Sequence, residues 1–155
     1  LDKRLETPEH ITAIAFLEAI YQDDVGAFWR LLSSEGRGFF KGLWYGKGIF
    51  TLEELKGLSE ENFFIKEQLK AVLKTIRASL GENFLNNVGI SEKIIQDDAL
   101  HKRVKLIPNI GKSEVVFIKP TLVETLFIPL VYELEDKENQ MVGYWKIDYL
   151  KMIKG

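Results

Sequence analysis

Apolar residues recur every three to four positions through the first half of the chain and every second position through the last third. In the first half this spacing predicts amphipathic helices. Thr7 is a good N-cap and Pro8 fits the first helical position, where a missing N–H costs nothing. Ile11, Ile14, Leu17 and Tyr21 follow at helical spacing, joined by Ala13, Phe16 and Ile20, a surface wide enough to be covered on two sides. Asp23 and Asp24 interrupt this helix and offer a cap for a second, with Val25, Phe28, Trp29 and Leu32 on one buried face and Gly36 as its expected stop. Between Gly36 and Gly48 there are five glycines, a density that opposes a helix. Phe39, Phe40, Leu43, Trp44 and Tyr45 there point to a short strand or an ordered loop packed on the core. Thr51 and Glu54 form a capping box for a short helix ending near Gly57. Ser59 then caps the longest helix, whose stripe of Ile65, Leu69, Val72, Leu73, Ile76 and Leu80 ends at Gly81.

After about residue 100 the period becomes two. Arg103 to Ile107 and Glu114 to Lys119 read as short strands around Pro108, Asn109 and Gly111. Thr125 to Glu135 alternates with Leu126, Ile128, Leu130, Tyr132 and Leu134 on one face. Pro129 lacks a ladder donor, which predicts an edge strand or a bulge there. Asp136 to Gln140 reads as a hairpin turn, and Met141 to Met152 as the last strand. The stretch from 84 to 100 stays open between helix, loop and strand. Helices first and adjacent strands after them predict an α+β fold, N-terminal helices packed on a curved antiparallel sheet, in a single domain over 1–155.

Charge and composition remove several classes of function. With 21 Lys and Arg against 23 Asp and Glu the chain lacks the basic excess of a nucleic-acid binder, so no nucleic-acid partner is expected. Lys66, Lys70, Lys74 and Arg77 form a basic ridge along the long helix, which reads as its solvent face. The apolar stretch from Val115 to Leu134 is broken by Lys119, Pro120, Glu124 and Pro129, so no membrane span is expected. There is no cysteine, which removes disulfides and thiolate chemistry and fits a reducing, cytoplasmic compartment. The chain begins at Leu1 rather than Met, which leaves a removed signal segment and secretion open. No cofactor and no metal are expected.

Few residues carry candidate chemistry. His10 sits in the first turn of the first helix and is expected near the surface; His101 is followed by Lys102 and Arg103, neighbours that would disfavour its charged form. Asp23, Asp24, Asp97 and Asp98 make two acidic pairs that read as caps or solvated turns. Asp148, placed on the last strand, alternates away from Trp145. The glycines between 36 and 48 do not form a phosphate loop, because Gly46-Lys47-Gly48 lacks the hydroxyl that would hold magnesium. No Gly-x-Ser-x-Gly elbow is present. Trp29, Trp44, Tyr45, Tyr132, Tyr144 and Trp145 are core or pocket wall; Trp29, Tyr132 and Trp145 are the candidate ligand-binding residues, and no catalytic residue is assigned.

The closing Gly143-Tyr144-Trp145-Lys146-Ile147-Asp148 resembles the last strand of the NTF2-like (SnoaL-like, cystatin-like cone) superfamily. The start is similar too, with a helix ending at Asp23-Asp24 and a short helix carrying Phe28, Trp29, Leu31 and Leu32. The resemblance implies a bent sheet around the long helices with a conical pocket between them. Its members include isomerases, dehydratases, ligand binders, association domains and bacterial immunity proteins, so fold does not fix function. The expectation is a non-enzymatic binding or association domain, a homodimer, with an apolar pocket or sheet face for a small apolar ligand or a protein partner. The alternative is an isomerase or dehydratase acting on a small carbonyl compound. A regulatory or immunity protein that acts through its surface is a third reading.

Overall fold

The computed structural model describes residues 5–56, 63–108 and 126–154. The gaps take in the expected strand Glu114 to Lys119 and the expected cap Ser59. Helix α1 (Pro8–Gln22) starts as its sequence dictates: Thr7 Oγ1 accepts the His10 N–H at 3.2 Å. Asp23 closes it in the left-handed region, and Asp24 caps α2 (Val25–Leu31) through the Ala27 N–H. The wide apolar surface of α1 meets α2 and α5 on one side and the sheet on the other. In α5 (Phe63–Leu80), Ile65, Leu69 and Leu73 are fully buried, and Gly81, at φ 101°, ends the helix. Thr51 and Glu54 exchange both capping-box hydrogen bonds, at 3.0 and 3.2 Å, ahead of α4 (Leu52–Lys56).

The glycine-rich stretch departs from expectation. It is a helix, α3 (Ser34–Gly46), capped by Ser33, and Gly36 lies inside its first turn instead of stopping α2. The glycines fit because of where they fall. Gly38, Gly42 and Gly46 are four apart, all exposed, and a Cβ on any of them would meet nothing within 4 Å. Phe40 and Trp44 lie on the opposite side, 2% and 3% exposed. Burial of that aromatic face outweighs a helix-propensity cost of about 1 kcal/mol per glycine. Past the C-cap Lys47 the chain turns away at Gly48 (φ 73°), where the Gly48 N–H reaches the Tyr45 carbonyl and the Ile49 N–H the Trp44 carbonyl.

A short 3₁₀ turn, Phe84–Asn86, leads into the sheet, so residues 84 to 100 are turn and strand. Four antiparallel strands follow in order: β1 (Val88–Gln96), β2 (His101–Pro108), β3 (Leu126–Lys137) and β4 (Gln140–Ile147). The fold is α+β, with the N-terminal helices packed on a curved sheet. In β1, Ile90 and Ile94 are four apart yet face Leu106 and Val104, two apart, so β1 carries two extra residues. Such a bulge bends a strand. It also turns the Ser91 carbonyl toward α1, where His10 Nε2 donates to it at 2.8 Å while Nδ1 meets Thr7 Oγ1 at 2.7 Å. His10 is therefore fully buried and ties α1 to β1, in contrast to the surface position expected of it.

Two strand expectations also change. β3 is an inner strand with no register shift, neither edge nor bulge. Pro129 is tolerated because the β4 ladder starts one residue later, at Leu130 opposite Ile147, and the Pro129 carbonyl takes the Asp148 N–H at 2.9 Å. The last strand stops at Ile147, and Tyr149–Lys154 forms a short helix, α6. Asp148 thus lies between strand and helix, its Oδ1 accepting the Lys151 N–H at 3.4 Å. The β3–β4 turn is the expected hairpin, with Glu138 and Asn139 both at positive φ. Ala13, Phe16, Leu17 and Ile20 of α1 are buried in one cluster with Val104, Leu106, Ile128 and Leu130 of the sheet.

Candidate functional site

The helices α3 and α6 together help to build two clefts on the described surface. The first lies where β4 ends. There Leu32 bridges Ile147, the Ser33 N–H donates to the Ile147 carbonyl at 3.0 Å, and α3 begins beside the outer side of β3. By strand parity that side carries His101, opposite Val131, and Glu133. The cleft, about 530 Å³, is walled by Ser33 and Glu35 of α3, His101, Val131, Glu133, and Asp148, Leu150 and Lys151 of the α6 turn.

Most of its polar groups are already committed. Both Glu133 oxygens accept the Ser34 N–H, at 3.0 and 3.2 Å, and the Ser34 hydroxyl lies 3.3 Å from Oε1. A carboxylate at a helix N-terminus is stabilised by the free N–H groups there. Ser33 Oγ accepts the Gly36 N–H at 3.1 Å, and Asp148 caps α6. Asp97 accepts from Arg103 Nε, at 2.9 and 3.2 Å to its two oxygens, and from Nη2 at 3.0 Å, with Lys151 at 3.7 Å. Asp98 holds His101 Nδ1 at 2.8 Å and the Leu100 N–H at 2.8 Å. The Arg103 hydrogen bond holds the Asp97 carboxyl below the usual carboxylate range, and the His101 hydrogen bond does the same for Asp98. Both shifts run the wrong way for a general acid. The cations expected to crowd His101 are drawn elsewhere. Arg103 goes to Asp97, and Lys102 goes to Glu9 at 3.2 Å, its ammonium 4.9 Å from the Trp145 ring centre.

The second cleft is apolar. One wall is the face of α3 bearing Phe39, Phe40, Leu43, Trp44 and Lys47; the other is the face of α5 bearing Gln68, Ala71, Val72, Thr75 and Ile76. Each set falls at helical spacing, so each wall is one stripe. Ile49, Tyr149 and Ile153 complete a groove of about 420 Å³. Phe40 and Trp44 are buried, whereas Leu43 and Ile153 are 39% and 49% exposed. Tyr149 packs its ring on Phe40 and Phe28, with centres 5.1 and 6.2 Å away, and burial pushes its phenol pKa up.

The three candidate ligand-binding residues fall in two places. Trp29 stacks on Trp44 at 5.8 Å, behind the groove. Tyr132 and Trp145 are cross-strand partners with ring centres 5.0 Å apart, on the side of the sheet that faces α1, where the Thr12 hydroxyl lies 3.5 Å from the Trp145 carbonyl. The Tyr132 ring lies over Gly143, where a Cβ would collide with it. None of the three lines either cleft. The groove residues Phe39, Leu43, Val72 and Ile76 and the cap Glu133 were not singled out for function from sequence. The signal for α3 was present in the four-residue spacing of its glycines.

In the basic ridge, Lys70 lies 3.7 Å from Glu67, and Arg77 reaches the Ile20 carbonyl at 2.6 Å and Asp23 at 3.3 Å. Among the described residues no group of three or more histidines and carboxylates could hold a metal ion, and no helix is long and apolar enough to cross a membrane. No protein-family model, no curated protein and no solved structure matches the chain.

Proposed function

We propose that this chain is a non-enzymatic binding domain and that the groove between α3, α5 and α6 receives a small apolar ligand. The supporting observation is the lining: an open cleft of about 420 Å³ with Phe39, Leu43, Trp44, Val72, Ile76, Tyr149 and Ile153 on its walls. Ligand sites have this size and this mostly apolar lining with few polar groups. Membership of the NTF2-like superfamily belongs to the same proposal and rests on Gly143 to Asp148 and on the Asp23-Asp24 helix junction. The test is titration with N-phenyl-1-naphthylamine, a neutral dye that brightens in apolar surroundings. Saturable binding is expected, and Ala71→Phe, which fills the groove from an exposed position on α5, should abolish it while leaving the melting temperature in place. Unsaturable binding, or binding indifferent to Ala71→Phe, rules the groove out. Dye binding that falls as protein concentration rises would show that a second copy occupies the groove, the association form of the same reading.

The alternative is an isomerase or dehydratase acting on a small carbonyl compound in the polar cleft. One observation favours it: Asp98 orients His101 through Nδ1, leaving Nε2 without a hydrogen bond among the described residues, the relation of an orienting carboxylate to a general base. NMR of small ketones in deuterated buffer tests it. Deuterium incorporated beside the carbonyl and lost in His101→Gln supports this reading, and no incorporation across the panel ends it.

A further inference from the structure

We infer that the groove's ligand is an amphiphile with an anionic head, a free long-chain carboxylate, and that Lys47 is the residue that receives the head. This inference rests on the groove being a binding site and adds the polarity of what it binds. Among the described residues Lys47 is the one charged residue in the lining and no carboxylate lies in it; Gln68, Thr75, the Trp44 indole and the Tyr149 hydroxyl are its other polar side-chain groups. The Thr75 hydroxyl donates to the Ala71 carbonyl at 3.0 Å, so it is directed at its own helix. The Lys47 ammonium is exposed and has no ion-pair or hydrogen-bond partner among the described residues.

Position supports the same assignment. Lys47 lies one helical turn beyond Leu43 and Trp44, at the C-cap of α3. Its methylene stem can lie along the apolar wall while the ammonium stays in water. That places charge at one end of an apolar channel, the layout of an amphiphile's partner. The C-terminus of α3 carries partial negative charge that would repel an anion. Its size is limited here, because the Tyr45 and Trp44 carbonyls are bound by the Gly48 and Ile49 N–H groups. A full ammonium charge outweighs the roughly half charge of a helix end.

The choice of a small molecule over a peptide helix follows from extent. About 420 Å³ falls in the range of small-molecule sites, and the buried Trp44 and Phe40 rings close the groove from beneath.

The test compares octanoate, decanoate and dodecanoate with the matching alcohols, each below its micelle concentration, by displacement of N-phenyl-1-naphthylamine at low salt. Affinity should rise with chain length, up to about fourfold per added buried methylene. Each carboxylate should bind about two- to fivefold more tightly than its alcohol, the range for an exposed ion pair. Lys47→Gln should remove that preference, weakening the carboxylates more than the matching alcohols. Equal binding of acids and alcohols by the native chain, or equal weakening of both by Lys47→Gln, overturns the inference while the groove stands as a site. Displacement by neither series overturns it as well. Dye binding still abolished by Ala71→Phe would then keep the groove as an apolar site, and dye binding indifferent to Ala71→Phe would remove the groove too.

Discussion

The two clefts are made by the same pair of helices, yet they differ in what their side chains are still free to do. The first turn of α3 and the 148–151 end of α6 face the polar cleft, whereas the last two turns of α3, with Tyr149 and Ile153, face the groove. In the polar cleft Glu133 caps α3, Asp148 caps α6, and His101 is held by Asp98 from outside the lining. These groups serve the fold first. In the groove Leu43, Ile49 and Ile153 stay exposed above the buried Phe40, Trp44 and Tyr149, and Lys47 has no partner among the described residues. Polar character is thus a poor guide to the binding surface of this molecule. Unsatisfied apolar area and an unpaired charge are better ones.

Tyr149 stands between the clefts, and removing it gives the largest expected effect. It is 7% exposed and its ring meets Phe28, Phe39 and Phe40. Tyr149→Ala should cost about 3–5 kcal/mol, as large aromatic deletions in a core do, and should loosen both clefts together. Urea unfolding gives the loss, and dye binding reports the groove. A loss under 1 kcal/mol would mean that the two clefts do not share this support.

A smaller change separates the clefts. Glu133→Ala removes the carboxylate from the start of α3 and should cost about 1 kcal/mol, the usual value of a helix cap. Because the groove is formed by the other end of α3, dye affinity should hold at moderate temperature. Equal loss of affinity and stability would show that the cap's role extends along the whole helix.

The sequence made part of this legible. Helices α1, α2, α4 and α5 are written in caps and spacing, from Thr7-Pro8 to the Thr51–Glu54 box and the stripe from Ile65 to Ile76. The alternation from Leu126 to Leu134 likewise gave β3. Helix α3 was hidden by its own glycines. Propensity weighs each glycine alone, whereas the fold places Gly38, Gly42 and Gly46 in one solvent-facing row and stabilises the helix through Phe40 and Trp44. The site was less legible still. Trp29, Tyr132 and Trp145 have the bulk of ligand-contacting residues, but tertiary packing decides which aromatic faces a groove, and it buries Trp29 behind Trp44. His10 was misread for the same reason, since the bulge that buries it lies 81 residues away.

The glycine row supplies the third variant. Gly42→Ala should stabilise the chain by about 0.5–1 kcal/mol, because α3 is helical at that point and a Cβ meets nothing within 4 Å. The melting temperature should rise with dye binding unchanged. A fall would mean that the exposed row of α3 is covered in solution.

Acid should separate the β1–β2 turn, which holds the polar cleft's His101, from the groove, with the smallest effect. Asp97 and Asp98 have folded pKa values below the unfolded value of about 3.9. Between those values the unfolded chain binds more protons than the folded one, so stability rises with pH there. The contribution is fully present above the unfolded value and fades as pH falls through the folded values. Both carboxylates are exposed, so the effect is local to the β1–β2 turn. Amide exchange at Leu100 to Arg103 should quicken below about pH 4, beyond its intrinsic pH dependence, before exchange at Phe40 to Trp44 does. Arg103→Gln removes the largest cause of the Asp97 shift and should flatten that response. If turn and groove lose protection together on acidification, the turn that holds His101 at the polar cleft is not the acid-sensitive partner, and the contrast fails at the level of charge.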